Sequence, residues 1–275
     1  MLKKILFILF LFIYQHMFAQ SEFDQYPFYE PNDLGLTYSK NASTFRIWSP
    51  TAEAAEIIFY KTGDDSNVIR RTPLQKSNRG TWSVTIDGDL AGQFYVFRVL
   101  IDKIWSDEVT DPYAKLVGVN GKRAMVADLQ YTNPDGWGQD KSPDFSEHNR
   151  PTDAVIYELH IRDASMHAQS GIQQKGLFSG LAEWGTYNDA GFATGLSHIK
   201  ELGVTHIHLL PVFDFSSIDE SKPGNAHYNW GYDPLNYNCP EGSYSSDPYN
   251  GLTRVKEMKA MIQAMHKHGL RVIMD

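Results

Sequence analysis

The chain has 275 residues, a formal net charge of −8 at pH 7 and a single cysteine. This length accommodates two medium-sized domains, each with its own hydrophobic core. The acidic balance excludes nucleic acid and anionic membrane surfaces as the main partner, since both select basic patches. An internal disulfide is excluded as well, because Cys239 has no second cysteine to pair with.

The first residues predict an export signal. Lys3 and Lys4 precede an apolar run over residues 5–14, and Ala19 offers a cleavage point. About ten apolar residues are too few to cross a bilayer core, which needs about twenty. We therefore expect residues 1–19 to be a signal peptide, and the product to be periplasmic, cell-surface or secreted, without membrane insertion once the signal is removed.

Between residues 44 and 128, apolar and polar side chains alternate with a period of two. The alternating segments are FRIW at 45–48, EIIFY at 56–60, TWSVTI at 81–86 and FYVFRVLI at 94–101. Turn-forming residues separate them, a pattern that predicts a small antiparallel β-sandwich of the immunoglobulin-like class. We assign the sandwich to residues 20–135 and a linker, rich in Pro, Asp, Gly and Ser, to residues 136–151.

From residue 152 onwards, strands alternate with helices. The predicted strands are AVIYELHI at 154–161, VTHIHLL at 204–210 and LRVIM at 270–274. AVIYELHI is a continuous apolar run, which is typical of a strand buried on both faces. A helix precedes the second strand, and its apolar face is formed by Phe192, Leu196, Ile199 and Leu202. Another helix precedes the third strand, and its apolar face is formed by Val255, Met258, Ile262 and Met265.

Strands separated by helices predict a parallel sheet, either doubly wound or closed into an eight-stranded barrel. None of the strands is followed by a Gly-rich phosphate loop, which disfavours the nucleotide-binding type. The segment Pro211–Gly251 is far longer than an ordinary connection, and loops of that size are usually functional. The interpretation that we favour is a multidomain chain with the first three strands of a TIM (β/α)8 barrel over residues 152–275.

This long segment contains YNWGYDP at 228–234 and NYNCPEGSYSSDPY at 236–249. These motifs resemble those of the type I pullulanases. The resemblance extends, in the same order, to IYELHIRDAS at 156–165, GLSHIKELGVTHIHLLPVFDF at 195–215 and GLRVIMD at 269–275. The alternating region is similar to the family 48 carbohydrate-binding-type sandwich that precedes such barrels, through FRIWSPTAE at 45–53, GTWSV at 80–84 and DPYAK at 111–115.

The resemblance implies a glycoside hydrolase of family 13. Such an enzyme hydrolyses α-1,6 branch links in pullulan, starch or glycogen-derived glucans by a retaining mechanism, with two carboxyl groups about 5 Å apart. The resemblance places the nucleophile and the general acid beyond Asp275, so we expect no catalytic residue within this chain and no activity from it alone. Asp275 itself is expected to organise the site. The implied partner is a branched α-glucan, bound by a monomer without a cofactor, while calcium binding stays open.

Three residues of YNWGYDP are the candidate substrate-binding residues. Because Tyr232 lies on a loop that follows a barrel strand, we expect its ring to stack on the glucose at the scissile bond. Trp230 either forms a wall of the same subsite or anchors the loop. Asp233 is biased towards an extended backbone by Pro234 and either contacts a sugar hydroxyl or stabilises the turn.

Other polar and aromatic residues have structural interpretations. Glu158, His160 and Arg162 point the same way from the first strand, and we expect a satisfied polar layer inside the barrel. His206 and His208 share a strand face, but no carboxylate or third histidine is positioned in sequence beside them, so we expect no metal. Three aromatic residues of the sandwich form either a glucan-binding platform or part of the core: Trp48, Trp82 and Tyr95. We favour the core.

Two other functions remain open from the sequence. One is a noncatalytic starch-binding protein that keeps the sandwich and part of a barrel. The other is an isoamylase-like debranching enzyme or a branching enzyme with the same layout, although YNWGYDP weighs against it.

Overall fold

The computed structural model describes residues 24–145, 150–222 and 228–275. The predicted signal peptide, residues 1–19, lies outside the described residues, so export stays a prediction. Within the described residues, no helix is long and apolar enough to cross a membrane.

Residues 35–125 form the strands of two antiparallel sheets. The strands are β1 (Gly35–Tyr38), β2 (Ala42–Trp48), β3 (Ala54–Tyr60), β4 (Val68–Pro73), β5 (Gln75–Lys76), β6 (Thr81–Asp87), β7 (Phe94–Ile101), β8 (Ile104–Trp105) and β9 (Ala124–Met125). One sheet has the order β1-β2-β6-β5; the other has the order β4-β3-β7-β8, with β9 also paired to β7. Each of the four segments with period-two alternation is a strand, so this prediction is confirmed.

The two sheets face each other across a hydrophobic core. Phe45 of the first sheet and Phe59 and Tyr95 of the second are all buried. The ring centroid of Phe45 lies 5.4 Å from that of Phe59 and 4.9 Å from that of Tyr95. Such edge-on aromatic pairs contribute about 0.5–1.5 kcal/mol each beyond the area that they bury. Packing between the sheets is therefore the cause of the alternation in the sequence.

The three aromatic residues that were considered as a glucan platform lie in different environments. Trp82 and Tyr95 are buried, as the core interpretation predicts. Trp48 is 41% exposed, so the core interpretation is wrong for this residue. Because β2 turns Phe45 and Ile47 inward, the alternation turns Trp48 outward, and its indole N–H donates to the Pro27 carbonyl at 3.0 Å.

Residues 156–274 contain five strands and two helices: β10 (Ile156–Leu159), α1 (Gly195–Glu201), β11 (His206–Leu209), β12 (Phe213–Phe215), β13 (Pro234–Pro240), α2 (Gly251–Lys267) and β14 (Arg271–Met274). Three of the strands form a parallel sheet with the order β10-β11-β14. The register places Glu158 of β10 opposite His208 of β11, which lies opposite Ile273 of β14. The predicted succession of parallel strands and helices is confirmed, while closure into a barrel stays a prediction.

Helix α2 begins after a capping asparagine and ends before a glycine. The Asn250 side chain accepts a hydrogen bond from the Leu252 N–H at 3.0 Å and caps the first turn. After the last turn, Gly269 adopts a φ of 73°, which a glycine accommodates without strain. Met261 and Met265 are fully buried and fix the helix against the sheet.

Helix α1 is shorter than predicted. Leu196 and Ile199 are buried as expected, but Phe192 lies before the helix and Leu202 follows it, and both are exposed. The side chain of Asn188 accepts a hydrogen bond from the Phe192 N–H at 2.9 Å and holds that residue in a preceding turn. Local side-chain bonding therefore competes with helix formation here.

Strand β10 is not buried on both faces, which corrects the prediction from its apolar run. Leu159 is buried, but Ile156 is 56% exposed and Tyr157 is also exposed. β10 is an edge strand of the three-stranded sheet, so no described strand covers its outer side.

The start of the predicted linker (residues 136–151), together with the residues just before it, contacts α2. Lys259 donates hydrogen bonds to Thr132 Oγ1 and Asn133 Oδ1, both at 2.7 Å. His266 Nδ1 lies 2.7 Å from Asp140 Oδ2. The chain that leaves the sandwich is therefore bonded to this helix at residues 132, 133 and 140.

Candidate functional site

The segment between β11 and α2 forms most of the candidate site. It contains the antiparallel strand pair β12 (Phe213–Phe215) and β13 (Pro234–Pro240). The YNWGYDP motif ends in the first residue of β13, so the strand pair positions it. Within the motif, Gly231 has a φ of 92°, and a Cβ there would lie 2.8 Å from the Pro211 carbonyl oxygen. Only glycine allows the motif to lie this close to the residues that follow β11.

Tyr232 lies at the carboxyl ends of the parallel strands. Its hydroxyl donates a hydrogen bond to Asp275 Oδ2 at 2.6 Å, and Asp275 directly follows β14. The hydrogen bond to Asp275 is the main reason that the pKa of Tyr232 is raised to about 12. Because Tyr232 is 58% exposed, its ring is open to a ligand while its hydroxyl is held in place.

Aromatic rings alternate along the motif. Tyr228, Trp230 and Tyr232 are all exposed. The rings of Tyr228 and Trp230 meet edge-on with centroids 6.3 Å apart. Trp230 is 60% exposed and does not anchor the loop by burial, which favours its role as a wall of the subsite.

Asp233 stabilises the turn that precedes β13. Its carboxylate accepts hydrogen bonds from Asn229 Nδ2 at 2.7 Å, from Ser216 Oγ at 3.0 Å and from the Ser217 hydroxyl. Partial burial opposes the charge of Asp233, but these hydrogen bonds outweigh it and lower its pKa. The geometry thus favours the turn-stabilising role, and a direct sugar contact by Asp233 stays a prediction.

The polar residues of the first two parallel strands meet across the sheet. Glu158 Oε1 lies 3.6 Å from His208 Nδ1, as the register of β10 and β11 requires. A carboxylate therefore lies beside His208, although none is positioned beside it in sequence, because linear spacing does not reveal cross-strand neighbours. In the described parts of the chain, no group of three metal-ligating side chains includes His206 or His208.

Of the three residues predicted to form a polar layer, only His160 is buried, whereas Glu158 is exposed and Arg162 is half-buried. The Nε2 of His160 lies 2.8 Å from the Asn229 carbonyl oxygen and 3.0 Å from the Tyr244 hydroxyl. Asn229 belongs to YNWGYDP, so His160 fixes the motif to the end of the first parallel strand.

A buried ionic cluster lies behind the motif, and sequence reasoning missed it. Arg254 of α2 is fully buried. Its Nη1 donates to Asp214 Oδ1 at 2.9 Å, and its Nη2 donates to Glu220 Oε2 at 2.9 Å. Glu241 is the third buried carboxylate of the group, and one carboxylate oxygen from each of the three lies within 4.8 Å of the other two. These four residues are called the Arg254 cluster below.

The Arg254 cluster joins the sandwich to the strand pair that carries the motif. The Asn120 N–H donates to Glu220 Oε2 at 2.6 Å. Asn236 Nδ2 donates both to the Gly121 carbonyl at 3.0 Å and to Asp214 Oδ2 at 2.7 Å. Because Asp214 lies on β12 and Asn236 on β13, the cluster holds both ends of the loop that contains Tyr232.

The three carboxylates already have donors at close range. Glu241 Oε2 accepts the Phe215 N–H at 3.0 Å, and its Oε1 accepts the Ser243 N–H at 2.8 Å. The oxygens are close enough to ligate a cation, but the guanidinium of Arg254 lies among them and supplies the positive charge. We therefore interpret the cluster as structural.

One positive and three negative groups leave an excess of negative charge. Burial, and then the neighbouring carboxylates, raise the pKa of Asp214 to about 7 and that of Glu241 to about 8, against ordinary values of 3.8 and 4.5. At pH values between the ordinary and the raised pKa values, these two carboxyl groups bind more protons in the folded chain than in the unfolded chain. The free energy of unfolding should therefore be largest near the ordinary pKa values and should fall as the pH rises towards 8.

This pH dependence can be measured by urea unfolding between about pH 5 and pH 8. The expected loss is a few kcal/mol, about 1.4 kcal/mol for each tenfold change in proton affinity. Glu241→Gln removes one titrating group and should flatten the profile, whatever its effect on stability at a single pH. A profile with the same slope in Glu241→Gln and the parent chain would contradict this account of the cluster.

The sequence does carry one signal for the cluster. Arg254, Met258, Met261 and Met265 follow one another at spacings of four, three and four residues, so they share a helix face. An arginine on the apolar face of a helix is rarely buried unless it is paired, which predicts carboxylates nearby. The partners themselves lie in the long segment before α2, where no periodicity locates them.

The chain is similar in sequence to known proteins. Residues 33–114 match the family Carbohydrate-binding module 48 (Isoamylase N-terminal domain). The chain is 42% identical over 251 residues to the pullulanase of Bacillus subtilis, covering 90% of this chain and 33% of that protein. It is 29% identical over 271 residues to isoamylase SU1 of Zea mays, covering 89% of this chain and 33% of that protein.

Solved structures agree as well. The pullulanase of Paenibacillus barengoltzii, in complex with maltohexaose and α-cyclodextrin, is 50% identical with a TM-score of 0.89, over 92% of this chain and 39% of that one. The pullulanase of Bacillus acidopullulyticus is 40% identical with a TM-score of 0.85, over 91% of this chain and 30% of that one. The chain thus spans about a third of the length of these relatives. Over about nine-tenths of its own length, the chain is similar to the N-terminal part of pullulanases.

Proposed function

We propose that the chain forms one wall of the substrate site of a hydrolase that cleaves α-1,6 branch links in pullulan, starch or glycogen-derived glucans. The observation that carries this proposal is the exposed ring of Tyr232, whose hydroxyl is held by Asp275 at the carboxyl ends of parallel strands. Similarity to pullulanases over nine-tenths of the chain supports the same substrate class.

The position of Tyr232 is that of a binding residue in an α/β barrel. In such barrels, ligands bind at the carboxyl ends of the strands, among the loops that follow them. We propose that β10, β11 and β14 are the first three strands of an eight-stranded barrel. This interpretation would also give the exposed Ile156 of the edge strand β10 a neighbouring strand.

The chemistry of the exposed groups suits a neutral sugar. A tyrosine ring offers a flat apolar face to the C–H side of a glucose ring, and its fixed hydroxyl limits rotation of the side chain. Trp230 provides a second apolar surface beside it, and the carboxylate of Asp275 can accept a hydrogen bond from a sugar hydroxyl. Aromatic and carboxylate groups together would orient one glucose unit without requiring a charged substrate.

The proposal assigns binding and orientation to this chain. Bond cleavage falls to a nucleophile and a general acid elsewhere in the enzyme, since the family resemblance places both after later strands. Asp275 then fixes the positions of the Tyr232 ring and the sugar relative to the nucleophile and the general acid. A retaining displacement depends on such fixed positions.

An isoamylase-like debranching enzyme is the second candidate, supported by the similarity to the maize isoamylase. The higher identity to the Bacillus subtilis pullulanase favours the first candidate.

Linkage preference tests the proposed function. The full-length enzyme is expected to release reducing sugar from pullulan and to leave unbranched amylose nearly intact under the same conditions. Strong cleavage of amylose, or no cleavage of pullulan, would contradict the proposal.

A further inference from the structure

A turn of the sandwich, residues 118–121, fits against the Arg254 cluster. It lies between β8 and β9, just beyond the region that matches carbohydrate-binding module 48. Asn120 has a φ of 57° and Gly121 a φ of 61°, left-handed conformations that asparagine and glycine adopt more readily than other residues. A Cβ on Gly121 would overlap the side chains of Asp214 and Asn236. The shape of the turn is therefore matched to the cluster.

Asn120 bonds to two consecutive acidic residues. Its N–H donates to Glu220 Oε2 at 2.6 Å, and its Oδ1 accepts the Glu220 N–H at 2.7 Å. Its Nδ2 donates to Asp219 Oδ1 at 3.2 Å. Both ends of the Asn120 amide are therefore used. Aspartate, which has nearly the same shape, would keep the acceptor but lose the donor.

The contacts of the turn hold the chain on both sides of the YNWGYDP motif. Glu220 precedes the motif, and Asn236, which donates to the Gly121 carbonyl at 3.0 Å, follows it. Glu220 Oε1 also accepts the Gly242 N–H at 2.9 Å, just beyond β13. The turn thus supports the loop that carries Tyr232 from outside that loop. Such support affects a reaction, because a misplacement of about 1 Å can lower a rate about a hundredfold.

We propose that Asn120 is a positioning residue for cleavage of the branch link, although it belongs to the sandwich. It acts by holding the loop that carries Tyr232, and the choice of reaction rests on the proposed function. The role is mechanical and requires no sugar on the sandwich. A change at Asn120 should therefore affect turnover through Tyr232.

The charge of Asp219 makes a conservative test possible. The side chains of Lys222 and Ser221, and then that of Asn120, hold the pKa of Asp219 well below its usual range. Asn120→Asp would place a second carboxylate against this one and would break the contact with almost no change in volume. Adding Asp219→Asn exchanges the donor and the acceptor, so the contact should form again.

Steady-state kinetics of the full-length enzyme on pullulan measures the effect. Asn120→Asp should lower kcat at least about tenfold, and the double variant with Asp219→Asn should return to within about threefold of the parent. Asn78→Asp is the matched control, because it adds the same charge to an exposed residue on another short turn of the sandwich. It should leave kcat unchanged.

The background of Tyr232→Ala separates positioning from a general loss of stability. Added to Tyr232→Ala, the Asn120→Asp change should lower kcat by less than about twofold, because the ring that it positions has been removed. A general loss of stability would act equally in both backgrounds. Equal factors in the two backgrounds, or parent-like turnover in Asn120→Asp, would overturn the proposal. If Asn120→Asp does not fold, Asn120→Gly, which allows the same φ and loses only the side chain, replaces it and should also lower kcat.

Amide hydrogen exchange in the 275-residue chain provides a readout that is independent of activity. Asn120→Asp should speed exchange in residues 228–242 at least about threefold and leave β2 and β6 unchanged, and Asp219→Asn should reverse the effect. Unchanged exchange in residues 228–242 would overturn the positioning role. If the parent enzyme does not cleave pullulan, the proposed function fails, and this exchange measurement alone decides the role of Asn120.

Discussion

Replacement of Arg254 by methionine is expected to lower the free energy of unfolding by about 3–5 kcal/mol, the usual cost of removing one partner from a buried ion pair. Arg254 and both of its carboxylate partners are fully buried. Methionine fills much of the same space, but it leaves Asp214 and Glu220 without the cation that compensates them. The loss should therefore arise from uncompensated charge and unsatisfied acceptors more than from a cavity.

Urea unfolding of the 275-residue chain at neutral pH measures this loss. Arg71→Met is the matched control, because Arg71 forms an exposed ion pair with Glu56 at 3.1 Å. Exposed pairs contribute about 0–1 kcal/mol, so the control should lose little. Adding Asp214→Asn and Glu220→Gln to Arg254→Met should recover part of the stability, since both changes remove buried charge. Equal losses in Arg254→Met and Arg71→Met would contradict the role of the cluster.

Replacement of Tyr232 by alanine is expected to reduce the turnover of pullulan by the full-length enzyme about a hundredfold, a reduction that small misplacements of a substrate can cause. The change removes both the ring face that we propose for the glucose and the hydroxyl that Asp275 accepts. Because Tyr232 is more than half exposed, the loss should not arise from unfolding.

Two further variants separate the contributions of Tyr232. Tyr232→Phe keeps the ring and loses the hydrogen bond to Asp275, so its turnover should lie between those of the parent enzyme and Tyr232→Ala. Tyr237→Ala is the matched control, since Tyr237 is similarly exposed on β13. Steady-state kinetics on pullulan gives kcat and KM for each variant. Normal turnover in Tyr232→Ala would remove the stacking role.

The sandwich could be predicted from the sequence because its period-two pattern has one physical cause. Residues such as Phe45 and Phe59 must face the opposite sheet, and the residues that alternate with them along each strand must face away from it. Helix α2 was equally predictable from its apolar face and from the glycine at position 269, and the structure adds the cap at Asn250. The same alternation places Trp48 outward, because Phe45 and Ile47 face inward, so the core interpretation of Trp48 went against the pattern.

Other features depend on contacts that no local pattern reports. The turn at Asn188 keeps Phe192 out of the start of α1, and the edge position of β10 leaves Ile156 exposed. Pairing between strands brings Glu158 to His208, although fifty residues separate them. The motif YNWGYDP predicted where the candidate site lies. The bond from Tyr232 to Asp275 required the fold to bring two distant residues together.

The Arg254 cluster was the least predictable part of the site. Its charged side chains come from two irregular segments, a short strand and a helix, and their meeting point is set by the sandwich through Asn120 and Asn236. Linear sequence shows only an arginine on an apolar helix face. The cluster explains how a long loop can present Tyr232 in a defined position, since both strands that flank the loop are fixed to the same buried charges.

The most direct test of the central claim is a proton NMR time course of pullulan hydrolysis by the full-length enzyme. The account predicts that the α-1,6 anomeric signal falls while the α-1,4 signals persist, and that the new reducing end appears first as the α-anomer, as retention requires. Loss of the α-1,4 signals, or first appearance of the β-anomer, would contradict it.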